Sequence, residues 1–185
     1  MPKITIFTPT YNRENKLENL YHSLLRQTNK NFVWLVIDDG STDHTAALVH
    51  SWIDEGAIEI RYVYQKNQGK FAGVQKAVEE CDTAWMICVD SDDTLREDAV
   101  KIMDNDVQVW ENGSAIGFVY PQKIGEQDPD WRLPQNIATL DIMDCKNVYG
   151  ITETAILIRT DVFRKIRFPS FEGLFPLLHH FLKLH

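Results

Sequence analysis

Residues 32–43 have the sequence FVWLVIDDGSTD, an apolar run of six residues that ends in a polar turn. The run is too short for a typical helix and is rich in β-branched and aromatic side chains, so it predicts a buried strand at Phe32–Ile37. Thr42 or Asp43 then offers a cap for a helix that continues to about Ile53. A buried strand followed directly by a helix is the first half of a βαβ unit.

The same alternation of strand and helix extends along most of the chain. Further strands are predicted at Lys3–Thr8, Ile58–Tyr64, Ala84–Val89 and Ala155–Ile158, and further helices from Glu14 onward, at Lys70–Glu80, at Glu97–Trp110 and near Asp161–Lys165. Strands that alternate with helices through short connections predict the α/β class, with a mostly parallel sheet and helices on both of its faces.

Composition excludes several classes of protein. The 185 residues, of which 44% are hydrophobic, fit one medium-sized globular domain. The net charge of −8 gives no sequence-wide basic footprint, so we expect no nucleic-acid partner. An anionic substrate then has to meet local cations, helix N-termini or a bound metal.

Cysteine usage and hydropathy bear on the compartment. Cys81, Cys88 and Cys145 form neither a disulfide framework nor a metal-binding pair, which predicts a reducing environment. No apolar run approaches the roughly 18–20 residues that cross a bilayer, and the N-terminus lacks the apolar centre of a signal peptide. We therefore expect a cytoplasmic protein without a transmembrane segment, one that could associate peripherally with the inner face of a membrane.

Polar clusters follow three of the predicted strands. They are Thr8-Pro9-Thr10-Tyr11-Asn12-Arg13 after the first strand, Asp38-Asp39 after the second and Asp90-Ser91-Asp92-Asp93 after the fourth. In parallel sheets ligands bind outside the carboxyl ends of the strands, so the three clusters predict a single binding site.

The cluster at residues 90–93 places three carboxylates within four residues. Unpaired, they would repel one another, so they need a cation or hydrogen-bond donors. Mg²⁺ or Mn²⁺ would supply the cation, since such ions prefer hard oxygen ligands and often use one or two carboxylates together with substrate phosphates. The alternative is that these acids cap a helix that begins near Leu95.

Asp38 and Asp39 leave a similar choice. Turn and cap chemistry can occupy one of them, while the other accepts hydrogen bonds from a nucleobase imide or a ribose hydroxyl. Tyr11 could stack on that base, and Arg13 and Lys70 could reach the phosphates or the base.

Several motifs, taken in their order and spacing, resemble those of one enzyme family. They are ITIFTPTYNR at residues 4–13, Gln27-Thr28, VIDDGSTD at residues 36–43, NQGK at residues 67–70 and DSDD at residues 90–93. Over about residues 3–120 the chain is similar to the family 2 inverting glycosyltransferases. The resemblance implies an α/β fold of GT-A type, with a mostly parallel sheet, helices on both faces and a Rossmann-like nucleotide-binding half.

The resemblance also implies a nucleotide-sugar donor, commonly a UDP-sugar, and a Mg²⁺ or Mn²⁺ cofactor. The implied donor-binding residues are Thr8, Pro9, Tyr11, Arg13, Asp39, Lys70 and Asp92, and the implied metal ligands are Asp93 and Asp92, with Asp90 in support. Residues 1–120 would form the donor-binding subdomain, and residues 121–185 a partial acceptor-side region with a truncated or altered C-terminus.

The implied reaction transfers the sugar with inversion to a hydroxyl of a saccharide or lipid-linked acceptor, in polysaccharide or glycoconjugate biosynthesis. In the family an acceptor-side carboxylate is the base. Glu172, after Phe168-Pro169, is the candidate, with Glu153 and Asp161 as alternatives.

Two other functions fit part of the sequence. The stretch DSDDT at residues 90–94 matches the D-x-D-x-T pattern of haloacid-dehalogenase-like phosphatases, in which Asp90 would be the nucleophile and Asp92 the acid/base. The chain could also be a non-catalytic nucleotide-sugar-binding module, because no acidic residue follows Glu172.

Overall fold

The computed structural model describes residues 3–109, 116–121 and 154–165. Strands and helices alternate along most of this part of the chain, as the sequence predicts. The elements are β1 (Ile4–Thr10), α1 (Leu17–Leu25), β2 (Phe32–Asp38), α2 (Thr45–Glu55), β3 (Ile60–Tyr64), α3 (Lys70–Glu80), β4 (Trp85–Cys88), α4 (Ala99–Val109), β5 (Gly117–Pro121), β6 (Thr154–Arg159) and α5 (Thr160–Phe163).

The six strands form one sheet in the order β3-β2-β1-β4-β6-β5. β1, β2, β3 and β4 are parallel, whereas β6 is antiparallel to both β4 and β5. The predicted mostly parallel α/β sheet is therefore confirmed. β6 lies between β4 and β5, so it shares this sheet with the strands before residue 121; the division of the chain near residue 120 stays a prediction.

Alternate residues of a strand point to opposite faces of the sheet. Because both sets are apolar in β1 and β2, helices cover both faces. One core contains Ile4, Ile6, Trp34 and Val36 and packs against α1, α2 and α4. The other contains Phe7, Leu35 and Ile37 and packs against α3 and α5. Three stacked rings stiffen the first core, with Tyr21 and Trp52 centred 4.2 Å apart and Trp34 alongside.

β1 continues through Pro9 to Thr10, beyond the end that the sequence predicts. A proline in a central strand usually costs a ladder hydrogen bond. Here the carbonyl of Phe7 accepts from Val89 on the β4 side, and the carbonyl of Thr10 accepts from Asp39 on the β2 side. The nitrogen of Pro9 therefore faces the β4 side, beyond the last paired residues, Phe7 and Cys88, where the β1–β4 ladder has already ended.

The carboxyl ends of β1, β2, β3 and β4 lie along one edge of the sheet, which we call the pocket edge. β5 ends and β6 begins at this same edge, since both pair in the antiparallel sense through β6. Within the residues that the structure describes, no helix is both long and apolar enough to cross a membrane.

Candidate functional site

A pocket of about 190 Å³ lies at the pocket edge, where the turns after β1, β2 and β4 meet the start of α3. It is lined by Pro9, Thr10, Tyr11, Arg13, Asp39, Lys70, Asp90, Ser91 and Asp92. The structure thus brings together six of the seven residues predicted to bind a nucleotide-sugar, along with Thr10, Asp90 and Ser91.

Thr8 is the predicted residue that does not line the pocket. Its side chain is fully buried, and its hydroxyl accepts a hydrogen bond of 3.0 Å from the indole nitrogen of Trp34. Thr8 follows Ile4 and Ile6 at strand spacing, so it points into the same core as they do.

Asp39 is the most firmly held acid of the pocket. Its Oδ1 accepts from the side-chain amide of Gln65 at 2.8 Å and from the backbone amide of Gln68 at 2.9 Å, and its Oδ2 accepts from Gly69 at 2.7 Å. Gly69 has a φ of +90°, a conformation that glycine adopts without strain, and this brings its amide to the carboxylate. The segment between β3 and α3 therefore fixes the position of Asp39.

Asp38 is structural. It is fully buried, and its carboxylate accepts hydrogen bonds from the backbone amide of Ser41 at 2.7 Å and from the Tyr62 hydroxyl at 2.6 Å. Burial, with the hydrogen bond and charge of Asp38, raises the pKa of Tyr62 well above its usual value. Of the two acids left open by the sequence, Asp39 is the one that lines the pocket.

Asn12 joins the turn after β1 to the turn after β2. Its φ of +52° is left-handed, which asparagine tolerates better than most residues. The Asn12 side chain accepts from the amide of Thr42 at 2.8 Å, and the Asn12 amide donates to the Ser41 hydroxyl at 2.9 Å. Sequence reasoning gave Asn12 no role, although an asparagine in a turn is a recognisable signal for such a bond.

Asp90–Asp93 form a tight turn in which the amide of Asp93 donates to the carbonyl of Asp90 at 3.0 Å. α4 does not begin until Ala99, too far along the chain for these acids to cap it. The helix-cap interpretation of this acidic turn is therefore wrong.

Two lysines neutralise part of the charge of this turn. The ammonium group of Lys70, at the first residue of α3, lies 2.6 Å from Asp90, and that of Lys16, just before α1, lies 3.3 Å from Asp92. Burial by itself lowers the pKa of Lys70, but the hydrogen bond and charge of Asp90 outweigh it and raise that pKa. Sequence reasoning missed Lys16, which is 76 residues from its partner.

The pKa values of Asp92 and Asp93 are shifted in opposite directions. Burial opposes ionisation of Asp92, but the hydrogen bond and charge of Lys16 hold its pKa below the usual value. Burial, and then the charges of Asp90 and Asp92, raise the pKa of Asp93. Asp93 is thus the acid whose negative charge the turn tolerates least.

No group of three or more His, Cys, Asp or Glu side chains is arranged to hold a metal ion within the described ranges. Mg²⁺ and Mn²⁺ need fewer protein ligands when substrate phosphates complete their coordination. The hard oxygens of Asp92 and Asp93 fit this requirement, and the crowding that raises the pKa of Asp93 is the kind that a cation relieves.

Of the three candidate bases, Glu172 and Glu153 lie outside the described residues. Asp161 lies in α5, which follows the carboxyl end of antiparallel β6. Arg159 there pairs with Trp85, the first residue of β4, so Asp161 lies at the opposite edge of the sheet from the pocket. Its carboxylate accepts two hydrogen bonds from the Arg159 guanidinium, at 2.8 and 3.0 Å. Asp161 as the base is therefore wrong.

Solved structures share this architecture. The crystal structure of residues 1–349 of S. aureus TarS superposes with a TM-score of 0.70 at 22% identity, over 91% of this chain and 50% of that one. The mannosyltransferase PcManGT from Pyrobaculum calidifontis, in complex with GDP-Man and Mn²⁺, superposes with a TM-score of 0.62 at 19% identity, over 91% of this chain and 48% of that one. The fold is that of the GT-A glycosyltransferases.

Curated relatives agree at the level of sequence. An uncharacterized glycosyltransferase of Rickettsia felis is 34% identical over 68% of this chain and 20% of its own length. The putative teichuronic acid biosynthesis glycosyltransferase TuaG of Bacillus subtilis is 31% identical over 54% of this chain and 40% of its own length. The chain thus spans less than half the length of these relatives. The sequence model of glycosyl transferase family 2 matches residues 5–167, and the chain belongs to that family.

Proposed function

We propose that the pocket binds a nucleotide-sugar, with a UDP-sugar as the first candidate, and that the domain transfers the sugar to an acceptor hydroxyl with inversion. The observation that carries this proposal is the meeting of two unlike groups in one pocket. A rigid hydrogen-bond acceptor, Asp39, lies on one side, and the lysine-paired acidic turn lies on the other. Residues 1–120 are proposed as the donor-binding subdomain.

The Asp39 side of the pocket is suited to the nucleobase. A carboxylate has about four lone-pair positions, and the segment between β3 and α3 occupies three of them. The remaining position can accept a hydrogen bond from an imide N–H, such as that of uracil. Tyr11, 47% exposed on the pocket wall, offers a ring on which the base can stack.

The side with the acidic turn is suited to the diphosphate. We propose Asp92 and Asp93 as ligands of a Mg²⁺ or Mn²⁺ ion, whose positive charge stabilises the departing nucleoside diphosphate when it is bound. A cation bound to Asp92 and Asp93 would displace Lys16 from Asp92, and its charge would weaken the attraction between Asp90 and Lys70. Lys70 and Arg13, which both line the pocket, can then pair with phosphate oxygens. PcManGT, which shares the fold, was solved with GDP-Man and Mn²⁺ together, and this supports a divalent ion in such a role.

Transfer with inversion requires the acceptor oxygen to attack the anomeric carbon from the side opposite the leaving diphosphate, while a carboxylate takes the hydroxyl proton. Glu172 remains our proposed base. Glu172→Gln should leave donor binding intact and slow transfer by roughly 10²–10⁴-fold, the usual contribution of a general base. Equal turnover of the variant and the parent would dismiss Glu172.

The acceptor is proposed to be a saccharide or a lipid-linked saccharide. Relatives named for teichuronic acid biosynthesis and for chondroitin synthesis support a role in glycan assembly. A cytoplasmic location, with peripheral association with the inner face of a membrane, would give access to such an acceptor.

A thermal-unfolding screen tests donor binding. UDP, CDP and GDP, with UDP-sugars, are compared in EDTA and in Mn²⁺. A ligand that binds only the folded protein stabilises it by about 2.7 kcal/mol at 100 times its Kd, which is several degrees for a chain of this size. The proposal expects the largest shift with uridine nucleotides in Mn²⁺. Equal shifts for the three diphosphates would contradict the assignment of Asp39 to the uracil.

Release of UDP from a UDP-sugar in the presence of an acceptor distinguishes the enzyme from a non-catalytic binding module, because both bind the donor. The phosphatase alternative, with Asp90 and Asp92, receives no support from the family assignment. A covalent phosphate on Asp90 would reopen it.

A further inference from the structure

Ser23 and Gln27 are two buried polar residues on the otherwise apolar core side of α1 and at its end. Ser23 is fully buried and Gln27 is 2% exposed, so each must find its hydrogen-bond partners inside the protein. Gln27 belongs to one of the sequence motifs noted above, and the proposed donor site assigns it no role.

Gln27 satisfies both ends of its side-chain amide. Its Nε2 donates to the carbonyl of Arg96 at 2.6 Å and to that of Ser23 at 3.2 Å, while its Oε1 accepts from the amide of Val100 at 3.0 Å. An amide is suited to this place, because it donates to a carbonyl and accepts from an N–H with the same planar group.

Two further bonds reach the same segment of chain. The Ser23 hydroxyl donates to the carbonyl of Leu20 at 2.7 Å and accepts from the amide of Leu95 at 3.1 Å. The backbone amide of Thr28 donates to the carbonyl of Glu97 at 2.7 Å. Residues 95–100, which lead from the acidic turn into the first turn of α4, are therefore bonded at four points to Ser23 in α1 and to Gln27 and Thr28 just after its end.

The acidic turn is thus held at both ends. On the strand side, the amide of Val89 donates to Phe7 in the centre of the sheet. On the other side, Leu95 is two residues beyond Asp93 and is bonded to Ser23. Carboxylates of like charge in one turn tend to separate because they repel one another. A fixed path on both sides resists that separation.

From these contacts we propose that Ser23 and Gln27 are positioning residues, which hold the acidic turn in the geometry that binds the metal and the diphosphate. The inference rests on the proposed function of the pocket. It assigns no contact with the ligand to either residue, since both act through the backbone of residues 95–100.

The test compares Ser23→Ala and Gln27→Met with the parent and with Asn29→Ala. Asn29 is the matched control, because it also joins the segment after α1 to α4, through a bond of 3.2 Å to Asp104, and its side chain makes no hydrogen bond to residues 95–100. The Kd of UDP is measured by calorimetry in Mn²⁺ and in EDTA, and hydrogen exchange is followed at the amides of residues 89–98.

Gln27→Met should raise the Kd of UDP in Mn²⁺ about 10-fold, a usual effect of losing a group that orients metal ligands. Ser23→Ala should raise the same Kd. Both variants should leave the Kd of UDP in EDTA unchanged, and both should speed hydrogen exchange at the amides of Asp93 and Leu95. Asn29→Ala should match the parent in all of these. The Ser23 change removes one oxygen only, so it remains informative if Gln27→Met folds poorly.

Two results overturn the inference, and they can be told apart. A parent that shows no gain in UDP affinity with Mn²⁺ removes the proposed function and this inference with it. A parent that shows the gain, together with Ser23 and Gln27 variants that keep it in full, leaves the function standing and removes the positioning role alone.

Discussion

Two turns with adjacent carboxylates meet at the pocket, one after β2 and one after β4. At the end of β2 and in the turn that follows it, Asp38 and Asp39 are both buried and accept five hydrogen bonds from groups fixed in the fold. In the turn after β4, Asp90 and Asp92 are about half exposed and pair with lysine ammonium groups at the ends of long side chains.

The two turns therefore suit different roles. The turn after β2 suits recognition of a nucleobase, and the turn after β4 suits the exchange of its lysine partners for a cation. Two backbone amides and the side-chain amide of Gln65 hold Asp39 in one place, which suits a group that selects a nucleobase. Lysine partners can leave their carboxylates without disturbing the core, because exposed ion pairs contribute little to stability. This suits a turn whose partners change when a cation and a diphosphate arrive.

Asp39→Asn tests the recognition side and should have the largest effect. The substituted amide retains an acceptor for Gln65 and Gln68 but turns a donor toward the amide of Gly69 and loses the charge. We expect the affinity for UDP to fall by roughly 1.5–3 kcal/mol, the contribution of a hydrogen bond to a charged group, which is about a 10–100-fold rise in Kd. Calorimetric titration with UDP measures it.

Asp38→Asn is the matched control for this change. It alters the neighbouring carboxylate, which Ser41 and Tyr62 hold away from the pocket. Its cost should appear in the free energy of unfolding and not in the Kd of UDP. If the two variants weaken UDP equally, Asp39 has no special place in recognition.

Asp93→Asn tests the turn after β4, and we expect a smaller loss of about 10-fold, confined to the gain in UDP affinity that Mn²⁺ provides. Asp161→Asn, at the opposite edge of the sheet, should keep that gain. An Asp93 variant with an unchanged response to Mn²⁺ would show that this acid is not a ligand.

Asp93→Asn should also raise the stability of the ligand-free protein slightly, by less than about 1 kcal/mol for a partly exposed group. The pKa of Asp93 is raised on folding, so its ionised form is disfavoured in the folded state. The advantage of the variant should be present at neutral pH and shrink as the pH falls through that pKa. Urea unfolding at several pH values measures this change.

Five of the six strands that the structure describes, the pocket edge and most of the pocket residues follow from local sequence patterns, whereas β5 is not among the predicted strands. Short apolar runs that end in polar turns are visible without a structure, and parallel pairing brings those turns together. Which of Asp38 and Asp39 lines the pocket does not follow from the sequence as simply. Asp38 continues the strand alternation of Trp34 and Val36 into the first core, but the sequence does not say which of the alternating sets faces the pocket.

Thr8 and Lys16 illustrate what local patterns leave out. Thr8 lies in a strand-end motif, yet the alternation of β1 turns it toward Trp34, a contact set by pairing with β2. Lys16 reaches Asp92 because α1 packs beside the turn after β4, which is a consequence of the strand order. Contacts between distant parts of the chain depend on topology, and no short motif encodes them.

Lys70→Met tests whether Lys70 leaves Asp90 for the diphosphate when the ligand binds. Its effect on the Kd of UDP should be smaller than that of Asp93→Asn. The pair with Asp90 is about half exposed, so its loss should change the free energy of unfolding by about 1 kcal/mol or less. If Lys70 moves to the diphosphate, the Kd should rise several-fold for UDP and stay unchanged for uridine. Equal changes for both ligands would place Lys70 at the base instead.

Lys16→Met should have the smallest effect, and in the ligand-free protein it should appear as a small loss of stability. The pair with Asp92 is half exposed on both sides, so we expect a loss of about 0.2–1 kcal/mol at pH 7. Lys16 lowers the pKa of Asp92 in the folded state, so this contribution is present above the unfolded pKa and is lost as the pH falls through the folded one. Parent and variant should therefore differ in urea unfolding at pH 7 and converge in acid, below both pKa values. A difference that persists in acid would mean that Lys16 stabilises the protein by packing and not by its charge.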